Sequence, residues 1–462
     1  MWLLNIVYVV FAVLLLFGAA VFVHEYGHYW MSLRRGLKVE GFSIGFGPKI
    51  MSWMRDGVEW SWRWIPAGGF VKLPQMVTSD AIEGKAAEGA EQLPPVSAWS
   101  KILVAVSGPM MNVFFGVALA FLLWGVGIPV EVNPPIIGYV DPDSAEAKLG
   151  IQPGDEIRSV DGKPTTSWHD VQETSILARS TNLAVVIARP GKFTNTYALA
   201  TVVSESHGLK VLNLDPRDHP VIKGVRPDSP AEAAGLKEGD EILVFAQVPL
   251  HGRDQFIKLI QECPAEARDI VIKRDGQRKT LKVTPRLDPS AKVGRIGADI
   301  GMGGKPVYRV EYIPPWVQIR QVVERMVGMF SALAHSKQTG VGVKDMIGPP
   351  GILTLLAYYV NTDWRLALSF LVLLNINLAF INLLPVPVLD GGHIVMALFE
   401  RLFGRPLPTR LVEYTTTVFA VLLIGFMLFV SFQDVKRCSL FRTMFKQEVT
   451  IEKQEAAPAA DR

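Results

Sequence analysis

Val21-Phe22-Val23-His24-Glu25-Tyr26-Gly27-His28 is the stretch on which the reading of this chain turns. It sets a metal-binding pattern at the end of a segment with no charged residue from Trp2 to Val23. His24 and His28 are four apart, so on a helix both imidazoles share a face and can ligate one Zn²⁺, while Glu25 beside them can take a proton from water. The pattern also arises by accident in soluble helices, where the histidines are surface or core residues. Its position weighs against accident. Ionisable side chains at membrane depth cost about 2.5–3.5 kcal/mol each, so His24, Glu25 and His28 together need a shared partner, and a dication supplies one. The chemistry implied is metal-assisted hydrolysis with Glu25 as the base.

Composition bounds the alternatives. A chain of 462 residues with 49% hydrophobic content is too apolar for an ordinary soluble enzyme and long enough for several domains. The net charge of +3 is small and the basic residues are scattered, which excludes nucleic acid as the expected partner. Cys263 and Cys438 are far apart and outside any CxxC spacing, so neither a disulfide framework nor a cysteine zinc site is expected.

Residues 2–23 would extend about 33 Å as a helix, enough to cross a bilayer core of about 30 Å. A signal peptide is the rival reading. It is rejected because there is no basic leading region, the apolar run is too long, and no small-residue cleavage site precedes the His/Glu cluster. Arg34, Arg35 and Lys38 follow the segment, so the positive-inside rule puts the amino terminus outside and the HExxH near the cytoplasmic side. Residues 41–73 alternate as strands do and carry turn glycines at Gly45, Gly47, Gly68 and Gly69. They predict a short sheet whose tryptophans suit a membrane interface. Residues 76–95 read as a flexible polar loop. A second span covers about 102–126 and contains Ser107-Gly108-Pro109 and Asn112, which read as helix-packing residues.

From residue 128 to about 314 the chain turns soluble in character and repeats itself. A shift of 85 aligns Gly150-Ile151-Gln152-Pro153-Gly154-Asp155-Glu156-Ile157 with Gly235-Leu236-Lys237-Glu238-Gly239-Asp240-Glu241-Ile242. Each copy reads as strand, short helix, Gly-x-x-x-Gly-Asp turn and strand. That order resembles bacterial PDZ domains, which bind extended peptides in a groove between strand and helix. An amphipathic helix is predicted over 316–333, a third span over about 366–384 and a fourth over about 414–432. Four crossings put both termini outside. The basic residues Lys436, Arg437, Arg442 and Lys446 after the fourth span argue for the opposite side. The end of the chain, 452–462, is expected to be disordered.

The fold class expected is a polytopic α-helical membrane protein with four transmembrane helices, a membrane-associated β-hairpin region and two inserted PDZ-like α+β domains. The division places the first transmembrane helix in 1–33, the β region and loop in 34–98 and the second helix in 99–127. The two PDZ-like domains take 128–210 and 211–290, and a linker with the amphipathic helix takes 291–363. The third helix with its Leu-Asp-Gly motif takes 364–392, a connecting segment and the fourth helix 393–435, and a tail 436–462.

A zinc site on two histidines needs a third ligand and an open position. The third span runs into Asn382-Leu383-Leu384-Pro385-Val386-Pro387-Val388-Leu389-Asp390-Gly391-Gly392-His393, where Asp390 is the candidate and His393 the competitor. Span counting brings both to the side of His24 and His28. Pro385 and Pro387 remove backbone donors and hold the segment extended, leaving carbonyls free for a substrate strand.

With HExxH in the first span, Gly108-Pro109-Met110-Met111-Asn112 in the second, Asn382 to Gly391 after the third and two PDZ-like copies between, the chain resembles the site-2 proteases. The resemblance is to their bacterial sigma-E-regulating branch with tandem PDZ domains, and it covers all but the tail. It implies an intramembrane zinc metalloprotease of the bacterial inner membrane, with the PDZ domains and both termini periplasmic, acting as a monomer. Its substrates would be single-span proteins, namely a trimmed anti-sigma factor and remnant signal peptides. It further implies His24, His28 and Asp390 as Zn²⁺ ligands and Glu25 as general base. Asn377, Asn382, Pro385 and Pro387, with the hairpin around Gly45-Phe46-Gly47, would hold the unwound substrate. A zinc transporter and a membrane-anchored PDZ scaffold remain as readings from other classes. The first has no use for a Glu beside its first His, and the second would tolerate loss of Glu25.

Overall fold

The computed structural model describes residues 2–76, 94, 96–189, 191, 193–203, 209–289, 292–302, 307–404, 408–437, 445 and 449–452. The expected polar loop (76–95) and disordered end (452–462) fall almost entirely outside the described residues. The chain divides into two compact units. One comprises Met1–Pro129, Glu311–Val327 and Lys344–Phe445, the other Val130–Val310, Gly328–Val343 and Lys446–Arg462.

Four helices are long and apolar enough to cross a membrane: Leu4–Arg34, Ala98–Val126, Trp364–Asn382 and Arg410–Lys436. The second begins where the Ser97 hydroxyl accepts from the Ser100 amide and stops at Gly127. It is the central packing element of its unit, lying against the first and third helices, with Val104, Ala105, Ala120 and Leu123 buried along it. Pro109 sits inside this helix without ending it.

Strands Gly41–Arg55 and Val58–Lys72 form a curled two-stranded sheet. Residues 41–44 are flanked on one side by 59–62 and on the other by 69–72. That curl buries Phe42 against Trp60 and Tyr29, joining the sheet to the first helix. The far part of the first strand is exposed and apolar at Ile50, Met51, Trp53 and Met54.

Two further helices were not anticipated, Pro349–Thr362 within the expected linker and Asp390–Phe403 within the expected connecting segment. The third apolar helix ends at Asn382, short of the Leu-Asp-Gly motif expected inside its segment, because Pro385 and Pro387 follow and cannot donate to a continuing helix.

In the second unit the 85-residue repeat returns in atomic detail. Arg189 reaches Asp155 with Nε and Nη2 at 2.6 and 2.7 Å and the Gly150 carbonyl at 2.8 Å. Arg274 reaches Asp240 at 2.6 and 2.6 Å and the Gly235 carbonyl at 2.8 Å. Ser144 and Ser229 cap the short helices at matching positions. In the strand Asn182–Arg189 every second residue, Leu183, Val185 and Ile187, points into the first core, and Ile270 and Ile272 do the same in the second. The second sheet runs past residue 290, where its domain was expected to end. Ala298–Met302 pairs with Pro220–Val225 as its edge strand, and the glycines around it disguise a strand as a loop.

A joint ties the two modules together. Asp215 lies on a short strand that pairs with Ile137–Tyr139 of the first module, and its Oδ2 accepts from the amides of Asp254 and Gln255 at 2.8 and 3.2 Å. It thereby caps the helix Arg253–Glu262 of the second module, whose own N-cap, Gly252, has no side chain to offer. A Cβ on Gly252 would lie 2.4 Å from that oxygen, so only glycine fits there. Lys258 on the same helix bonds both carboxylate oxygens of Asp141 in the first module at 2.8 and 2.9 Å.

Burial, and after it the charge of Asp254, pushes the Asp215 carboxyl up to about 7 from an ordinary value near 4. The folded chain therefore holds this proton more tightly than the unfolded chain. The contribution is fully present below about pH 4 and is lost as pH rises through about 7. We expect hydrogen exchange in Arg253–Glu262, corrected for intrinsic rates, to be slower at about pH 5 than at about pH 8. Asp215→Asn, neutral throughout, should flatten that difference, and Asp215→Ala should cost about 1 kcal/mol of local stability by removing the cap. A wild-type profile without pH dependence would show that the carboxyl does not titrate in this window.

Candidate metal centre

His24 and His28 lie near the carboxyl end of the first helix, both buried, with ring centroids 4.8 Å apart. Asp390 opens the helix Asp390–Phe403 and brings its carboxylate to both rings. Oδ2 is 3.3 Å from His24 Nε2 and Oδ1 is 3.3 Å from His28 Nε2. The two Nε2 atoms are themselves 3.3 Å apart. Among the described residues these three form the one such cluster of His, Cys, Asp or Glu, and His393, the competing candidate, lies outside it.

The spacing tests the fit of a metal. Bonds of about 2.0–2.1 Å in a tetrahedron place ligand atoms about 3.3 Å from one another, which is the separation found here. The hydrogen-bond network points the same way. His28 Nδ1 lies 2.8 Å from the Val104 carbonyl, so Nδ1 carries the ring proton and Nε2 presents a lone pair. That lone pair faces another imidazole nitrogen and a carboxylate whose Oδ2 has no hydrogen-bond partner. Acceptors converging on one point repel each other unless a cation lies between them. His24, His28 and Asp390 would hold it, leaving a fourth position open.

Backbone clears the space around these side chains. At Gly108 on the second helix a Cβ would lie 2.1 Å from His28 Nε2. At Gly69 in the hairpin a Cβ would lie 2.7 Å from Glu25 Cγ, so the sheet meets the buried Glu25 with main chain alone. The same residue pairs with Ile44 across the sheet. Neither role was read from the sequence, where Gly69 passed as a turn residue and Gly108 as a packing residue.

The other expected residues are arranged more loosely. The Asn382 amide nitrogen is 3.4 Å from His24 Nε2, next to the cluster. Asn377 is one turn further back, with a buried amide oxygen that has no partner. Pro385 is exposed and Pro387 half-buried, and the segment that leads to Asp390 is not the extended one expected: it bends and turns, with the Val386 amide donating to the Leu384 carbonyl at 2.7 Å and the Leu389 amide to the Val386 carbonyl at 2.9 Å. Gly45, Phe46 and Gly47 lie on the hairpin strand, where the Phe46 ring stacks on Phe70 at 6.2 Å. Asn112, fully buried, comes within 3.2 Å of His24 Nδ1.

Comparison with known proteins adds to this geometry. The description "Peptidase family M50" matches residues 12–426. A regulator of sigma-E protease, RseP, from Salmonella typhimurium is 28% identical over 94% of this chain and 100% of its own length. The RseP of Escherichia coli is 28% identical over 91% and 96%. A Vibrio cholerae protein whose name describes a zinc metalloprotease is 28% identical over 92% and 98%. Among solved structures, the PDZ domain of the SdrC-like protein from Listeria monocytogenes is similar to 18% of this chain and 87% of that chain, at 21% identity and a TM-score of 0.17.

Gly108→Ala should displace the His28 ring, since the new methyl cannot share space with Nε2. We expect zinc affinity to fall about 10–100-fold, the size of effect seen when the support of a ligand is disturbed. Asp390→Asn, which replaces an anionic donor by a neutral amide, should lower bound zinc at least as far. Metal analysis of the purified variants reads both, and full occupancy in either removes that residue from the account.

Proposed function

Because the chain belongs to peptidase family M50 and is a metalloprotease, we propose that it hydrolyses peptide bonds within the membrane-spanning helices of single-span proteins, using zinc held by His24, His28 and Asp390. The observation that carries this reading is the convergence of two imidazole nitrogens, 3.3 Å apart and each 3.3 Å from one oxygen of the Asp390 carboxylate, near the end of an apolar helix and beside the buried Glu25. When bound there, zinc supplies Lewis acidity toward water and the scissile carbonyl. Glu25 accepts the proton from the attacking water and returns it to the departing amine as the C–N bond breaks. Burial keeps bulk water from competing for that proton. The scissile segment must be unwound to expose its carbonyl. The non-helical Pro385–Pro387 stretch, the amides of Asn377 and Asn382 and the hairpin edge at Gly45, Phe46 and Gly47 are suited to hold it, with Gly69 bringing the hairpin to the base.

The relatives named as regulators of sigma-E protease favour an anti-sigma factor as substrate, with remnant signal peptides as a second class. Counting crossings from Arg34, Arg35 and Lys38 puts the site near the cytoplasmic face of the inner membrane, and the modules and both termini in the periplasm. On that topology the PDZ-like modules cannot join the bond-breaking step and act on access. A bulky folded pair rejects substrates that still carry a large outer domain. The fixed joint at Asp215 and Lys258 supports this, since a filter needs rigidity.

Incubating the purified protein with a detergent-solubilised single-span substrate, with and without a chelator, tests the activity. Glu25→Gln should keep zinc and lose cleavage by more than about 100-fold, as removal of a general base does. Cleavage near the wild-type rate would mean that Glu25 is not the base. Replacing residues 134–302 by a short flexible linker should make untrimmed substrates cleavable. Slower cutting of trimmed substrates would favour peptide capture, and continued neglect of untrimmed ones would end the steric account.

A further inference from the structure

Asn112 lies on the second apolar helix, eight residues after Val104, and is completely buried. Its side-chain amide is 3.2 Å from His24 Nδ1, on the side of the ring opposite the nitrogen that faces Asp390 and His28. The two ends of an amide have nearly the same shape, so its orientation follows from what it touches. The other end of this amide meets no hydrogen-bond donor, which leaves the imidazole to select the orientation.

The two orientations have different consequences. If the amide nitrogen donates to Nδ1, the ring proton must sit on Nε2, where it would point at His28 Nε2 and Asp390 and leave no lone pair for a metal. If the amide oxygen accepts from Nδ1–H, Nε2 is free to ligate. His28 already shows the second arrangement, since its Nδ1 is held by the Val104 carbonyl of the same helix. Two acceptors, one from the main chain and one from a side chain, then stand on one helix two turns apart and fix the tautomers of two histidines on its neighbour.

We propose that Asn112 is the positioning residue of His24: its amide oxygen accepts from Nδ1–H, setting the tautomer and ring plane that present Nε2 to the metal. This rests on the reading of His24, His28 and Asp390 as a zinc site. The second helix is then part of the metal-binding machinery through Val104, Gly108 and Asn112, and not only a packing partner.

The test compares Asn112→Ala and Asn112→Asp with wild type in the purified full chain. Zinc affinity is measured by competition with a chromophoric chelator, and coordination geometry by the visible absorption of the Co²⁺-substituted protein. Thermal unfolding after chelation reports the fold separately. The alanine variant should bind zinc about 10–100-fold more weakly, with an altered Co²⁺ spectrum and a chelated melting temperature close to wild type. The aspartate variant keeps the acceptor and should stay within about threefold of wild-type affinity with the wild-type spectrum, a margin well inside the loss seen without support. Wild-type affinity in the alanine variant overturns the proposal. So does an aspartate variant that folds and binds as weakly as alanine, and this comparison decides if the alanine variant does not fold. His24→Ala separates the two levels. If it binds zinc as tightly as wild type, the site itself is wrongly assigned; if it loses zinc while the alanine variant at 112 keeps it, only the role of Asn112 fails.

Discussion

Two imidazole nitrogens 3.3 Å apart, each also 3.3 Å from an oxygen of one carboxylate, form an arrangement inside apolar helices that repels itself, and much of the first unit is arranged around that constraint. A charged or strongly polar group in such surroundings costs several kcal/mol unless paired, a cost that a cation shared by the converging residues would relieve. Convergence in turn dictates close backbone approach. The first helix can bring His28 to the second only where that helix carries Gly108, and the hairpin can reach Glu25 only through Gly69. The third ligand cannot come from a continuous helix either. Asp390 arrives because the third helix breaks at Asn382 and restarts at residue 390, which turns the carboxylate at the new amino end toward the rings.

The second unit solves a different problem with one device used twice. Each Gly-x-x-x-Gly-Asp turn buries an aspartate, and in each module an arginine from a strand 34 residues later spends two nitrogens on that carboxylate and a third bond on the carbonyl of the turn's first glycine. Removing one partner from such a pair strands a buried charge, which is costlier than never having the pair. The modules are therefore locally rigid where turn meets sheet. Asp215 and Lys258 extend that rigidity across the joint, where the two modules differ: the position that is Asp215 in the first copy is Ile300 in the second, so the cap exists only between them.

How much of this could be read beforehand depended on whether a residue's role lies in its own neighbourhood. His24 and His28 share one helical face with Glu25 beside them and needed no partner to be recognised, and the repeat was visible because turn chemistry is local. Asp390 stood open against His393 because both lie in one short stretch, and only the contact of Asp390 with both imidazoles separates them. Arg189 and Arg274 were within reach, since they obey the same 85-residue shift as the turns they serve. Gly69, Gly108 and Asn112 were not. Each is defined by what another element places against it, and a glycine that clears space for a side chain looks like any packing or turn glycine until the neighbour is known.

The basic cluster after the fourth apolar helix shows how a charge counted by a composition rule can be engaged elsewhere. Lys436, Arg437, Arg442 and Lys446 count against an outer carboxyl terminus if each charge is free to meet the inner lipid surface. Arg437 is not free. Its guanidinium donates to the main-chain carbonyls of Met346 at 3.0 Å and of Lys344. One turn earlier the buried Asp434 accepts from the amides of Gly348 and Gly351 at 2.9 Å, capping the helix Pro349–Thr362. The end of the fourth helix is thus bound to the segment that leads from the modules back into the third helix, and both must lie on one side of any membrane. Beyond it, Thr450–Glu452 pairs in parallel with Val307–Glu311. A charge committed to closing a loop counts for less in the positive-inside rule.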